Sequence, residues 1–170
     1  MTRTIYLVRH GIAGEAPNGG SDADRRLTPD GVRKMSRAAL GLKRLGVAPD
    51  LILSSPLRRA EETAALLAKA LAPERAVALY GVLAPGHEPA EIVRGLQAHR
   101  GARAVMLVGH EPGIGQLLSH LLTGTSSGLA IEFKKGGVAA IQVEALPPRH
   151  AGLLQWLLTP KQLRAIARGG

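Results

Sequence analysis

The sequence predicts an α/β fold, a three-layer αβα sandwich in which a mostly parallel sheet carries helices on both faces. Short apolar runs alternate along the chain with segments of helical periodicity. Three of these runs stop at turns rich in arginine and histidine, as the buried strands of a parallel sheet stop at polar loops. The 170 residues, 45% hydrophobic and 21% charged, suit one core. We therefore expect a single domain over residues 1–170.

The N-terminal part of the chain predicts a strand, a long loop and a helix. Residues 4–8 are β-branched and aromatic and stop at Arg9-His10-Gly11, which indicates a buried strand that enters a turn. Residues 11–27 are rich in glycine and charge and predict a loop. Thr28-Pro29-Asp30 then supplies an N-cap, a proline at the first helical position and an early acid. The helix should end at Gly46.

The next segment predicts a second strand and helix. Residues 50–53 are apolar after the aspartate and meet Ser54-Ser55-Pro56, where Ser55 is expected to cap a helix that runs to about Leu71. Residues 76–80 predict a further short strand. The strand and helix therefore repeat the order found at the N-terminus.

The second half repeats the pattern once more. Residues 84–89 predict a loop with two prolines, and residues 91–98 a short helix. Residues 104–108 form an apolar run typical of a central strand. The run ends at Gly109-His110-Glu111-Pro112-Gly113, after which a helix should continue to about Leu122.

The C-terminal part predicts two or three strands and a last helix. Residues 129–133 and 138–143 predict strands on either side of residues 134–137, as a hairpin or at a sheet edge. Residues 152–158 predict another strand. Thr159-Pro160 then begins a basic helix.

Composition excludes several function classes. The chain has no cysteine, which excludes disulfides, thiolate metal sites and a cysteine nucleophile. No apolar run approaches the roughly 18–20 residues of a membrane span or the core of a signal peptide, so we expect a cytoplasmic protein without a membrane partner. Aromatic residues make up only 2%, which disfavours nucleic-acid binding by base stacking.

The charge balance favours an anionic partner. Lysine and arginine number 22 against 13 acidic residues, and the formal net charge is +9. Two interpretations stay open at this point: a solvated basic surface, and a docking face for an acidic partner.

Three of the predicted strands end in charged groups that should share one edge of the sheet. These groups are Arg9-His10-Gly11, Arg58-Arg59 after Ser55-Pro56, and Gly109-His110-Glu111. Ligands bind at the carboxyl ends of parallel strands because loop amides and helix N-termini converge there. Two imidazoles and at least two guanidiniums with almost no carboxylate suit a phosphoryl group.

The same three segments resemble the motifs of the histidine phosphatase superfamily, the phosphoglycerate mutase-like proteins. Residues 7–11 are similar to its Arg-His-Gly signature, residues 55–64 to its Ser-Pro-x-x-Arg-Ala-x-x-Thr-Ala motif, and residues 108–112 to the motif with the second histidine. Residues 25–31 and 156–160 further resemble the SixA-type phosphohistidine phosphatases. The resemblance implies a phosphoglycerate mutase-like fold and a phosphatase that acts on phosphohistidine of a signalling or phosphotransfer protein, with neither metal nor other cofactor.

The resemblance also implies roles for individual residues. His10 is expected to attack phosphorus and form a phosphohistidyl enzyme, while Arg9, Arg59 and His110 neutralise the phosphoryl oxygens. The neighbouring arginines should hold the pKa of His10 below its ordinary value. Three further residues are expected to bind substrate: Gly11, Arg25 and Glu111.

The loop after the first strand contains an arginine and two aspartates whose roles are considered separately. Arg25 could contact phosphate or the partner, and a salt bridge with Asp22 or Asp24 is an equal alternative. Asp22-Ala23-Asp24 mimics the paired aspartates of another phosphatase class, but it lies in a polar loop instead of at a strand end. We therefore expect no catalytic part for these aspartates.

The proton donor separates the candidate functions. Ester-cleaving members carry a glutamate in a segment equivalent to residues 79–83, where this sequence has no acid, and Glu88 is the nearest candidate. Imidazole leaves more easily than an alkoxide, which favours phosphohistidine as substrate. One alternative is a small-molecule phosphomonoesterase that uses Glu88 as its acid. The other is a non-catalytic phosphoprotein-binding or nucleic-acid-binding module that uses the same arginines.

Overall fold

The structure is a computed structural model, and it describes residues 2–169. Within this range six strands form one sheet, flanked by five α-helices. The strands are β1 (Arg3–Arg9), β2 (Leu51–Ser54), β3 (Val77–Leu79), β4 (Ala104–Gly109), β5 (Val138–Val143) and β6 (Leu153–Leu158). The helices are α1 (Pro29–Arg44), α2 (Arg58–Leu71), α3 (Pro89–Gly95), α4 (Gly113–Thr123) and α5 (Pro160–Arg168).

The sheet has the mixed α/β topology that the sequence predicts. Its strand order is β3-β2-β4-β1-β5-β6. The first four strands in this order are parallel, and β5 and β6 each run antiparallel to the preceding neighbour. Arg9 pairs with Gly109 and Ser54 with Val108, so β1, β4 and β2 end side by side. The three charged turns therefore meet at one edge, which we call the charged edge.

Helices cover both faces of the sheet because the central strands are apolar on both sides. Val105 and Leu107 pack with α3 and α4, whereas Met106 and Val108 pack with α1, α2 and α5. All four side chains are inaccessible to solvent. This double burial explains why β4 appears in the sequence as a continuous apolar run.

The start of α1 fixes the loop that follows β1. Thr28 accepts a hydrogen bond from the backbone N of Gly31 at 2.9 Å and caps the helix, with Pro29 in its first turn. A Cβ atom at position 31 would lie 2.2 Å from the carbonyl oxygen of Ile12. Only glycine permits this approach, so the chain just after His10 is held against the first turn of α1.

The strand predicted over residues 129–133 is wrong, since this segment is irregular. Side chains take up the backbone groups that a strand would use. Glu111 accepts from the N–H of Phe133 at 3.1 Å, Ser119 accepts from that of Leu129 at 3.0 Å, and the Phe133 carbonyl accepts from Arg9. The segment is a strap across α4 that fixes Arg9.

Two helix boundaries also differ from expectation. Ser55 does not cap α2, because Leu57 occupies the N-cap position and the Ser55 hydroxyl accepts from the Leu57 N–H at 3.3 Å. The helix predicted over residues 91–98 already starts at Pro89, the first-turn position that proline favours, and tightens into a 3₁₀ turn at Leu96–His99. Within residues 2–169, no helix combines the length and apolar character needed to cross a membrane.

Candidate active site

The imidazole of His10 is buried directly after β1 and is held in one tautomer. Its Nδ1 lies 2.7 Å from the carbonyl oxygen of Gly11. Because a carbonyl can only accept, Nδ1 carries the proton. Nε2 then keeps its lone pair, and the Nε–H of Arg59 points at it from 3.3 Å. The atom of His10 that can attack an electrophile is therefore Nε2.

The surroundings keep His10 uncharged. Burial is the largest cause that lowers the pKa of His10, to about 4, and the charges of Arg59, Arg9 and Lys135 lower it further. The hydrogen bond to Gly11 acts in the opposite direction. The sequence predicts the lowered pKa from the arginines, while the structure gives desolvation the greater part. Near neutral pH the ring is neutral and nucleophilic.

His110 lies directly after β4 and is the second imidazole of the site. Its Nε2 lies 2.7 Å from the hydroxyl oxygen of Ser55. Besides the Leu57 N–H, which is a donor, His110 Nε2 is the only partner of this hydroxyl among the described residues, so the hydroxyl donates to Nε2 and the ring proton sits on Nδ1. Among residues 2–169 the buried Nδ1 has no hydrogen-bond partner. His110 can thus donate to a bound oxyanion.

His10 adds to the neutrality of His110. Their ring centroids are 5.1 Å apart. Burial, followed by the nearby His10 and Arg59, lowers the pKa of His110 to about 3. Ser55 is therefore more than the buried or capping hydroxyl that the sequence suggests, because it sets the tautomer of His110.

Arg59, in the first turn of α2, is almost fully buried, whereas Arg58 points to solvent. The Nη1 of Arg59 donates to the carbonyl oxygen of Asp22 at 2.7 Å, and its Nη2 donates to the Asp22 carboxylate at 2.9 Å. A guanidinium is planar with five N–H groups. The second Nη2 hydrogen lies on the same edge as Nε and faces the space beside His10. This edge is turned to His10, to which the Nε–H donates, and it can form a bidentate contact with a phosphate that binds at His10 Nε2 and takes over this bond.

Asp22 is the residue that sequence reasoning set aside and the structure brings into the site. It lies in a 3₁₀ turn, Asp22–Asp24, of the loop between β1 and α1. It also pairs with Arg25 at 3.1 Å, and hydrogen bonds from Arg25 and Arg59 hold the pKa of Asp22 below its ordinary value. The salt bridge between Arg25 and Asp22, one of the two alternatives for Arg25, is therefore observed. Asp22 in turn holds the end of the Arg59 guanidinium.

Hydrogen bonds fix both the side chain and the backbone of Arg9. Its Nη1 donates to the carbonyl of Phe133, whose N–H is bound by Glu111, and its backbone carbonyl accepts from the N–H of Gly136 at 3.1 Å. Its Nε is buried and has no partner in the described chain. Arg9 therefore keeps one N–H without a protein partner, and its charge contributes to the lowered pKa of both His10 and His110.

The other residues predicted from the sequence, Gly11, Glu111 and Glu88, differ in their contacts and exposure. The N–H of Gly11 donates to Thr63 at 3.0 Å, so its carbonyl, the acceptor from His10, is held in place. Glu111 lines a cavity next to His110 while one of its oxygens binds backbone. Glu88 is exposed on the rim of the same cavity. In residues 2–169 no group of three or more His, Asp or Glu side chains could hold a metal ion.

Comparisons with known proteins agree with this geometry. The family model of the histidine phosphatase superfamily (branch 1) matches residues 5–79, which include His10 and Arg59. An uncharacterised protein of Picosynechococcus sp. is 33% identical over 165 residues, 91% of this chain and 98% of that protein. Phosphohistidine phosphatase SixA of Escherichia coli is 26% identical over 162 residues, 94% of this chain and 96% of SixA. A structure of the protein histidine phosphatase SixA complexed with tungstate matches with a TM-score of 0.82 at 25% identity, over 94% of this chain and 99% of that one.

The lowered pKa values predict that His10 and His110 stay neutral at pH 5. An NMR titration of the ring nitrogens should place their protonation near pH 4 and 3, whereas the chain unfolded in urea should titrate near the ordinary value of about 6.5. Between these values the unfolded state binds more protons, so the free energy of unfolding should fall as pH falls from about 6.5 towards 4. Protonation of either ring near pH 6.5 in the folded chain would contradict this account.

Replacement of Asp22 tests whether it orients Arg59. In Asp22→Ala, Arg59 loses a charge-assisted hydrogen bond of about 1.5–3 kcal/mol, so kcat/KM should fall roughly tenfold or more, mainly in kcat. Glu15→Ala, which removes an equal charge from an exposed position of the same loop, is the control and should leave the rate unchanged. Tighter binding of vanadate with an unchanged kcat would instead mean that Asp22 competes with phosphate.

Proposed function

The chain belongs to the histidine phosphatase superfamily and is of the SixA type, and from this we propose that it is a phosphatase specific for phosphohistidine on a signalling or phosphotransfer protein. The observation that carries the proposal is the fixed tautomer of His10. Its Nε2 lone pair is directed at Arg59, while the buried Arg9 Nε and His110 Nδ1 have no partner among the described residues. We infer that these three groups bind the phosphoryl oxygens around Nε2.

In the first step, Nε2 of His10 forms a bond to phosphorus and the P–N bond of the substrate breaks. The bonding pair goes to the leaving imidazole, which departs neutral because its other nitrogen carries a proton. His10 becomes a positively charged phosphohistidine, and its Nδ1–H still donates to the Gly11 carbonyl. Arg9, Arg59 and His110 neutralise the charge on the phosphoryl oxygens.

In the second step, water attacks phosphorus and the bond to His10 breaks. The electron pair returns to Nε2, and the oxygen and both protons of the water leave with the phosphate. The enzyme is restored without a net proton change on His10. The cavity that His110 lines is open to solvent and offers the water a route to the site.

The position of acidic side chains supports phosphohistidine over phosphate esters. An ester needs an acid near the leaving oxygen, but residues 79–83 contain none and Glu88 is exposed on the cavity rim. The P–N bond does not need this acid. The similarity to SixA points in the same direction, and tungstate in the SixA crystal is a tetrahedral oxyanion like phosphate.

A small-molecule phosphomonoesterase is the second candidate, and one observation favours it. Glu88 and His110 line the same cavity, so a substrate in this cavity would meet a carboxyl group on one side and the phosphate donors on the other. In that case Glu88 would protonate the alcohol that leaves.

Rates on a phosphohistidine peptide and on a panel of sugar and aryl phosphates, with chelator present, test the proposal. We expect the peptide to be turned over at least about tenfold faster than any ester, and His10→Gln to lose at least about a thousandfold, as loss of a nucleophile does. Glu88→Gln and Glu91→Gln, the latter a matched control on α3, should both retain the peptide rate.

Other outcomes would move the assignment. A preference for esters that Glu88→Gln abolishes, and Glu91→Gln does not, would favour the phosphomonoesterase. Binding of phosphorylated ligands without turnover of either class would favour the non-catalytic module. A rate on the peptide that persists in His10→Gln would refute the proposed nucleophile.

A further inference from the structure

A second open pocket lies beside His10, between α1, α5 and the turn that precedes β5. It is separate from the cavity at His110, and we call it the basic pocket. Its volume of about 150 Å³ is small, which suits side-chain groups better than a whole small molecule. The lining residues that matter are Gly11, Ile12, Lys34, Lys135, Gly136 and Arg164.

The topology places the basic pocket at the charged edge. Gly11 follows the carboxyl end of β1, and the turn with Lys135 leads into the start of β5, which is antiparallel to β1. Strand β6 runs in the same direction as β1, so α5, with Arg164 at its middle, begins at the same edge. The basic pocket and His10 therefore lie at one edge of the sheet.

Backbone hydrogen bonds hold the pocket directly against His10. The N–H of Gly136 donates to the carbonyl oxygens of Arg9 and His10, at 3.1 and 3.0 Å. The Arg9 N–H donates to the Gly137 carbonyl at 3.1 Å. Lys135 is thus carried by the turn that closes on the catalytic histidine, and its charge contributes to the lowered pKa of His10.

The side chains around the pocket are cationic, and no acidic residue is among those that line it. Lys34 is paired with Asp30 at 2.6 Å on α1. Within residues 2–169, Lys135 and Arg164 have no ion-pair partner. Two cations without a direct ion-pair partner therefore face an open space next to the proposed site of phosphoryl transfer, with Asp30 offsetting part of the Arg164 charge.

We propose that the basic pocket binds carboxylates of the substrate protein, that is, acidic side chains close to its phosphohistidine. The inference rests on the proposed function and adds how the partner is recognised. Lys135 is exposed and Arg164 half-buried, and such cations suit electrostatic docking of carboxylates at an interface rim. The net charge of +9 would steer an acidic partner towards this edge.

The test compares two phosphohistidine peptides of equal length, one with three glutamates near the phosphohistidine and one with three glutamines. The wild type should show a kcat/KM about tenfold higher for the glutamate peptide at low salt, and the preference should shrink as salt rises. Lys135→Glu combined with Arg164→Glu should abolish or reverse it. Because each preference is a ratio within one enzyme, changes that Lys135 imposes on His10 cancel.

Lys134→Glu combined with Arg168→Glu is the matched control. It makes the same charge change on the same turn and the same helix, at positions that do not line the pocket, and it should keep the preference. Glutamine versions of the pocket pair, which should also lose the preference, repeat the test without introduced acids.

A ratio near one in the wild type, with both peptides turned over, would overturn the inference and leave the proposed function intact. Equal loss in the control variant would also overturn it, since bulk charge would then explain the preference. If neither peptide is turned over while an aryl phosphate is, the proposed function itself fails, and peptide docking fails with it.

Discussion

The hydrogen bond from Nδ1 of His10 to the carbonyl of Gly11 determines how the rest of the site can act. It leaves Nε2 as the only basic ring atom and aims it at Arg59. The bond depends in turn on Thr63, which accepts from the Gly11 N–H and donates to the carbonyl of Arg59 at 2.7 Å. One hydroxyl of α2 therefore couples the orientation of His10 to the helix that carries Arg59, so the two side chains are positioned together.

Charge is distributed in the site so that cations are present and the histidines stay neutral. Burial together with Arg59 and Arg9 opposes protonation of either ring, and Asp22 offsets part of the Arg59 charge. Asp22 binds the end of the guanidinium and leaves the Nε edge to His10. This arrangement holds a buried arginine without closing the position where a phosphoryl group would bind.

Local sequence patterns predict most of this architecture because it follows from strands that end together. The apolar run at 104–108, the helix start at Thr28 and the three charged turns each depend on neighbouring residues. Asp22, the role of Ser55 and the irregular path of residues 129–133 depend instead on side-chain contacts between distant segments. Periodicity carries no signal for such contacts, although the spacing of Asp22 and Arg25 is compatible with their salt bridge.

The most direct test of the account is to identify the phosphorylated atom of the enzyme intermediate. The enzyme would be mixed with a phosphohistidine peptide for less than one turnover, quenched in alkali and analysed by NMR of ¹⁵N-labelled histidine for coupling to ³¹P. The account predicts phosphate on Nε2 of His10. Phosphate on Nδ1, on another residue, or turnover without any phosphoenzyme would contradict it.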